Sequence, residues 1–298
     1  MPNPDFSYLL GLLVGGGRFG ERDSITIEFP FKSWPQENFR ISPQWFEESV
    51  RSIVPTIRTQ IGATATPRYV GNHSHHFYIE IENTPQILFD TFRRYGIQPM
   101  GTLREHASIK RLVDDLDQEG KKRLLQGLAD VIGSCRASHR NRTLQTTIIS
   151  FEILGRNYDL TFELCQLLYS LGIATDQILW NHPNMHAGSQ PDAYWKKGNK
   201  VRVRAGDFAT VGFGMECKRQ GLVRLLELEL HARGSISHNS LCPNRNYRLG
   251  PEKVSHRDEQ SPDLPTQLRG HFIHFTAICR ALGCPHAPSN WLDEQSRE

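Results

Sequence analysis

Two apolar segments that carry glycine constrain this chain more than any other feature. The first, residues 8–19, reads YLLGLLVGGGRF, and the second, residues 123–134, reads RLLQGLADVIGS. Phe6, Leu9, Leu10, Leu12 and Leu13 predict a helix over 5–15, with Gly11 and Gly15 four apart on one side. Glycine inside a helix costs about 1 kcal/mol relative to alanine, and its usual justification is the close approach of another backbone. The spacing therefore predicts that this helix packs directly on a partner helix.

The order of elements after each segment is similar. In the first half, 23–32 alternates as a strand and 42–61 has helical spacing behind a Ser42 cap and Pro43. His75 to Glu82 alternates again, and 84–97 returns to helix. A charged stretch, 104–123, reads as a connector. Beyond it come an apolar helix (123–134), a strand (143–154), an amphipathic helix (158–173), strands at 200–208 and 212–218, and a helix at 220–230. Residues 181–199 read as a polar, hairpin-like loop. Gly127 repeats Gly11 after 116 positions, which is too long a period for a solenoid and suits a degenerate duplication. Two such halves predict a pseudo-twofold molecule whose leading helices meet at the axis.

Composition limits the function classes. With 298 residues, 38% of them hydrophobic, the chain can bury a large core without disulfides or a metal. No apolar run reaches the length of a membrane span, and the opening MPNPDF lacks the pattern of a secretory signal, so a cytoplasmic protein, nucleoid-associated if it binds DNA, is expected. The six cysteines are too few for a disulfide scaffold. A net charge of +3 argues weakly for a nucleic-acid partner, so the placement of the charges matters more than their sum.

Leu9 to Gly17 (LLGLLVGGG) and Leu125 to Gly133 (LQGLADVIG) resemble the two copies of the motif that names the LAGLIDADG homing endonucleases in their single-chain form. The stretches CQLLYSLGI and GFGMECKRQGL are similar to that family's second helix and to its last strand and final helix, and the resemblance spans about residues 5–230. It implies an α+β fold: two pseudo-twofold-related repeats whose curved antiparallel sheets form a DNA-binding saddle. The expected division is a first repeat over 1–103, a linker over 104–119, a second repeat over 120–232 and a C-terminal extension over 233–298. It also implies a pair of carboxylates, one at the end of each motif helix, holding divalent metal over the scissile phosphates. Gly16 and Ile132 stand at those two positions, so the usual cleavage is expected to be weak or absent. Asp130 falls on the motif's other acidic position and Lys218 near a basic one, both candidate remnants of the centre.

Independently of any family, KVRVR puts Lys200, Arg202 and Arg204 on one face of a strand and Val201 and Val203 on the other. Arg136, Arg140 and Arg142 follow the second motif helix, and Arg18, Lys32, Arg68, His73 and His75 are their counterparts in the first half. Arginine pairs bidentately with guanine in the major groove and other cations contact phosphate, so these are the candidate DNA-binding residues. No acid interrupts the KVRVR run. In the tail, Cys242, His256, Cys284 and His286 are a candidate zinc set by ligand type, although their spacing matches no standard finger.

The principal expectation is a monomeric, sequence-specific double-stranded DNA-binding protein. One alternative is an active nuclease that uses Mg2+ on relocated acids, for which Glu21, Asp23 and Asp130 are nearest in sequence. Asp207 with Glu216 and Lys218 is a second acid–lysine constellation of nuclease type. Another alternative is an RNA-binding splicing maturase.

Overall fold

Both glycine-bearing segments are helices, and they cross at the two glycines. The computed structural model describes residues 4–20, 24–31, 41–61, 66–73, 76–138, 146–154, 157–183 and 197–233. Helix α1 (Pro4–Gly16) is buried on every side from Ser7 onward, and α6 (Gln118–Ile132) packs along it. A β-carbon on Gly11 would lie 2.8 Å from the Leu128 nitrogen and closer still to the Leu124 carbonyl. A β-carbon on Gly127 would lie 2.9 Å from the Leu12 nitrogen and closer still to the Tyr8 carbonyl. The two sets of neighbours are related by the same 116-residue offset, which is the pseudo-twofold written in contacts. Gly11 is thus a site of close backbone approach.

Each motif helix runs straight into a short strand and then a four-stranded antiparallel sheet. The first half contains β1 (Gly17–Phe19), β2 (Ile25–Pro30), α2 (Pro43–Arg51), α3 (Val54–Ile61), β3 (Thr66–His73), β4 (His76–Glu82) and α4 (Gln86–Arg94). The second contains β5 (Gly133–Ser138), β6 (Thr146–Leu154), α7 (Tyr158–Ser170), β7 (Thr175–Pro183), β8 (Lys197–Arg204), α8 (Ala205–Phe208) and α9 (Glu216–Arg233). Sheet order is β1-β2-β4-β3 in one half and β5-β6-β8-β7 in the other, the same order twice. Alternation along the strands builds the core: Ile25, Ile27, Phe29, Phe77, Ile79 and Ile81 point inward in the first sheet, and Ile149, Phe151, Val201 and Val203 in the second. The fold is thus α+β with two pseudo-twofold-related halves, and no described helix is long and apolar enough to cross a membrane.

Several local expectations need correction. The helix expected over 42–61 starts as anticipated, with the Ser42 side chain accepting a hydrogen bond from the Trp45 N–H and Pro43 in the first turn, but it breaks after Arg51. Pro55 has no N–H to donate back and its ring would meet the Arg51 carbonyl, so α3 starts afresh. The segment 181–199 is not all loop: β7 extends to Pro183 and β8 starts at Lys197. The strand expected over 212–218 does not form, and α9 begins at Glu216. The alternation of Phe213, Met215 and Cys217 is real, since all three are buried, but side chains rather than a neighbouring strand take the local N–H groups.

The charged 104–119 stretch is also more than a linker. It holds a single 3-10 turn (Leu103–Glu105) and α5 (Lys110–Asp115), and Leu103, Ala107, Ile109, Leu112 and Leu116 are buried. Glu163 on α7 accepts hydrogen bonds from the Ser108 hydroxyl and the Ile109 N–H, both at 2.6 Å. Asn157 donates to the Ala107 carbonyl at 2.9 Å. The connector is bonded to the first half as well, through Arg104 to Glu28 at 3.1 Å and the Tyr95 hydroxyl to Asp115 at 2.8 Å.

Because Gly11 and Gly127 each meet backbone and not a movable side-chain tip, neither tolerates a methyl group. Gly11→Ala and Gly127→Ala are each expected to lower unfolding free energy by about 2 kcal/mol or more, read from urea midpoints at unchanged slope.

Candidate functional site

The ends of the two motif helices meet through aliphatic groups. A β-carbon on Gly15 would lie 3.1 Å from Val131 Cβ and 3.5 Å from Ile132 Cγ2; one on Gly16 would lie 2.7 Å from Val131 Cγ1 and press against the Glu28 carbonyl of β2. Gly16 therefore fits closely against β2 backbone, and Val131 fills the space beside it. Magnesium and calcium require oxygen ligands, and neither Gly16 nor Ile132 supplies a side-chain oxygen. Among the described residues, no group of three or more His, Cys, Asp or Glu could hold a metal ion. The divalent metal implied by the motif does not fit these helix ends.

Asp130 is fully buried and engaged, not a free ligand. Its Oδ2 accepts from the Tyr8 hydroxyl at 2.7 Å, and its carboxylate accepts the Gly214 and Met215 N–H groups at 3.0 and 3.1 Å. The donors come from α1 and from the turn leading into α9, so this one carboxylate joins both halves. Burial pushes its pKa up to about 6, against the opposing pull of the Lys218 charge and these hydrogen bonds. The same environment, burial first and the Asp130 charge second, holds the Tyr8 hydroxyl well above its usual range.

Lys218 has a structural position. It lies in the first turn of α9, not on a strand, and is only 2% exposed. Its ammonium donates to the carbonyls of Ala129 (3.1 Å), Asp130 (2.5 Å) and Gly133 (2.8 Å), at the C-terminal end of α6. A cation there complements the negative end of the helix. The adjoining Cys217 N–H donates to Ser49 on α2 at 3.1 Å, a further tie between the halves. The acid–lysine constellation of Asp207, Glu216 and Lys218 does not assemble as strands: Asp207 is in α8, Glu216 is bound to Gln220 and Arg219, and Lys218 is turned to α6.

The polar faces of the sheets carry the expected cations, with acids among them. Arg18 is exposed on β1; Arg68 on β3 pairs with Glu80 at 3.0 Å and with Glu82 at 2.7 Å. Glu28 on β2 pairs with Arg104 at 3.1 Å and with His76. Burial opposes its ionisation, but the hydrogen bonds and charges of His76 and Arg104 outweigh that and hold its carboxyl below the usual range. In the second sheet, Arg202 and Arg204 are partly exposed and Arg204 lies 3.4 Å from Asp176. Lys200 is 3% exposed and faces the equally buried Glu152 at 4.0 Å, so it is removed from the open surface on which it was expected.

The absence of acids within KVRVR therefore does not hold across strands: Glu152 and Asp176 come from neighbours that strand alternation alone does not identify. Glu80 and Glu82 are polar positions in the alternation of HFYIEIE, on the strand beside Arg68. Arg136 lies on β5 and His73 on β3. Lys32, His75, Arg140 and Arg142 lie outside the described residues, as do Glu21, Asp23 and the candidate zinc set of Cys242, His256, Cys284 and His286. The described cysteines, Cys135, Cys165 and Cys217, are buried free thiols.

No family model and no curated protein matches the chain. Solved structures of LAGLIDADG homing endonucleases are similar to it at low identity. I-SmaMI bound to uncleaveable DNA is 12% identical at a TM-score of 0.41, covering 81% of this chain and 92% of that one. I-DmoI in complex with DNA and Ca is 13% identical at 0.41, covering 75% and 97%. The LAGLIDADG meganuclease I-AabMI bound to uncleaved DNA is 13% identical at 0.40, covering 77% and 91%.

The raised pKa of Asp130 has a definite sign. Between its unfolded value near 3.8 and about 6, the folded state binds the proton more tightly, so this residue's contribution to stability is lost as pH rises through that window. The unfolding free energy of the wild type minus that of Asp130→Asn should fall by about 2.4 kcal/mol from pH 4 to 7 and flatten above. Urea titrations across that range measure it.

Proposed function

We propose that this chain binds double-stranded DNA at a specific sequence through the polar faces of its two sheets, and does not cut it by metal-assisted hydrolysis. The observation that carries the binding half is the alternation along β8, which puts Arg202 and Arg204 on one partly exposed face of an antiparallel sheet, opposite Ser150 and Ile148 of β6. An antiparallel ribbon fits the major groove, where arginine pairs bidentately with guanine O6 and N7 or contacts phosphate. The exposed Arg18 offers the same chemistry from the first sheet, and the duplicated strand order lets one chain present two such faces. The motif resemblance of the leading helices, Leu9 to Gly17 and Leu125 to Gly133, supports the same reading.

The absence of cleavage rests on the helix ends. Hydrolysis of a phosphodiester by bound metal needs carboxylate oxygens at the reacting phosphates. Gly16 and Ile132 supply none, and Asp130, the described member of the relocated-acid set, is enclosed by Tyr8, Gly214 and Met215.

The test is a binding selection from randomised duplex DNA at moderate salt, followed by incubation of the recovered sites with protein and magnesium or manganese. A long site recovered and left uncut is the expected result. Metal-dependent cutting would show that other acids do the chemistry, and failure to enrich any duplex, with retention of structured RNA, would favour the maturase reading. Gly16→Asp with Ile132→Glu supplies the missing carboxylates, and metal-dependent cutting that appears only in this variant would show that the helix ends withhold it. Because the new side chain at position 16 meets the Glu28 carbonyl, this double variant should also lose about 1–3 kcal/mol of stability.

A further inference from the structure

The two sheets match position by position, but their outward faces are not equally open. Counted from the glycine that opens each sheet, strand register makes Arg18 equivalent to Ser134, Thr26 to Ser150, Glu28 to Glu152, Tyr78 to Lys200 and Glu80 to Arg202. None of these five positions is buried in the first sheet. Four of the five are buried in the second, Ser134, Ser150, Glu152 and Lys200, and Arg202 is partly exposed. Residue size does not account for the difference, because the one position with the same residue in both halves shows it too. The Glu28 side chain keeps 22% exposure with Arg104 and His76 against it, whereas that of Glu152 keeps 7%. Ile148, outward on the same strand as Glu152, is buried as well.

A lysine on the outer face of a sheet ordinarily carries its ammonium into water, so Lys200 at 3% exposure has something over it. Helices α7 and α8 lie on the other side. Asn199, an inward residue, donates to Thr161 on α7 at 3.1 Å, and Phe151 meets Phe208 of α8 with ring centroids 5.7 Å apart. Helix α9 packs on β5 and β6, and from its end at Arg233 the chain continues into residues 234–298. That length is ample to cross a four-stranded sheet roughly 15 Å wide. Its composition suits the surface. Asp258, Glu259 and Asp263 offer carboxylates to Arg202 and Arg204, and Phe272, Phe275 and Ile278, three apart, offer apolar groups to Ile148 beside the neutral Ser134 and Ser150.

Resting on the reading of both sheets as duplex-binding faces, we propose that residues 234–298 lie across the outward face of the second sheet and hold it closed to DNA. Duplex must displace the segment to reach Arg202 and Arg204. A tethered segment competes at high effective concentration, and the apparent affinity for duplex falls in proportion to the open fraction. The first sheet, with its outward positions unburied, stays open to DNA.

The test compares the full chain with its Phe272→Glu, Phe275→Glu double variant. Two added carboxylates by themselves weaken binding to DNA, whereas release of the segment strengthens it, so the two causes have opposite signs. Labelling of Lys200 by acetic anhydride, read by mass spectrometry, should rise roughly tenfold or more in the variant, and its affinity for a random-sequence duplex at fixed salt should rise severalfold. Unchanged labelling of Lys200, or labelling that rises with no gain in affinity, would overturn the inference. Should the urea midpoint show that the variant has lost its fold, a full chain cut in the native state at a protease site inserted after Arg233 takes its place. Dilution of the cut protein removes the tether, and should expose Lys200 and tighten duplex binding; no change in either would overturn the inference. Exposure of Lys200 in a protein that binds no duplex before or after release would instead overturn the reading of the sheets as DNA faces, and the regulatory role with it, while leaving the cover in place.

Discussion

The crossing of α1 and α6 at Gly11 and Gly127 is the constraint on which the rest of the molecule depends. Two helices approach until the backbone of each occupies the space where the other's β-carbon would stand. That contact sets the distance between the halves, and the strands that leave both helices through Gly17 and Gly133 inherit it. Close packing admits small residues only, so the same glycine must recur at the same place in both halves.

Around that crossing, the polar groups at the helix ends have been committed to holding the halves together. Asp130 accepts a hydroxyl from α1 and two N–H groups from the turn before α9, and Lys218 closes the carbonyls at the end of α6. Buried charges persist only when hydrogen-bonded or paired, and these are. The arrangement has no counterpart in the first half, where Val14 stands in place of Asp130 and Gly16 abuts β2. The duplicated scaffold is thus symmetric in backbone and asymmetric in chemistry. The same division appears on the sheets, where matched inward residues carry mismatched outward charges.

The duplication, the paired helices and the sheet-forming strands were legible because each is written in local periodicity. Gly11 with Gly127 announced the helix contact, and the alternation of KVRVR and HFYIEIE announced strands. The pattern of Phe213, Met215 and Cys217 misled for an equally physical reason: period-two burial does not by itself specify an extended backbone, and here Asp130 takes the N–H groups a neighbouring strand would have taken. The connector read as polar because its charges outnumber its apolar residues, yet Leu103, Ile109 and Leu112 are enough to bury it. Lys218 read as a strand-end cation, and only the position of α6 turns it inward.

By itself, the sequence determined that the chain is duplicated, that its leading helices need glycine, that Gly16 and Ile132 supply no carboxylate, and that Arg202 and Arg204 share a face. These follow from residue identity and from periods of 3.6 and 2, which are properties of neighbours in the chain. The tertiary structure decided which groups oppose one another across strands and helices. It set Lys200 against Glu152, Arg68 against Glu80 and Glu82, and Asp130 against Tyr8. The last of these pairings joins residues 122 positions apart. They depend on strand register and helix placement, which packing of the whole core fixes and no local pattern records.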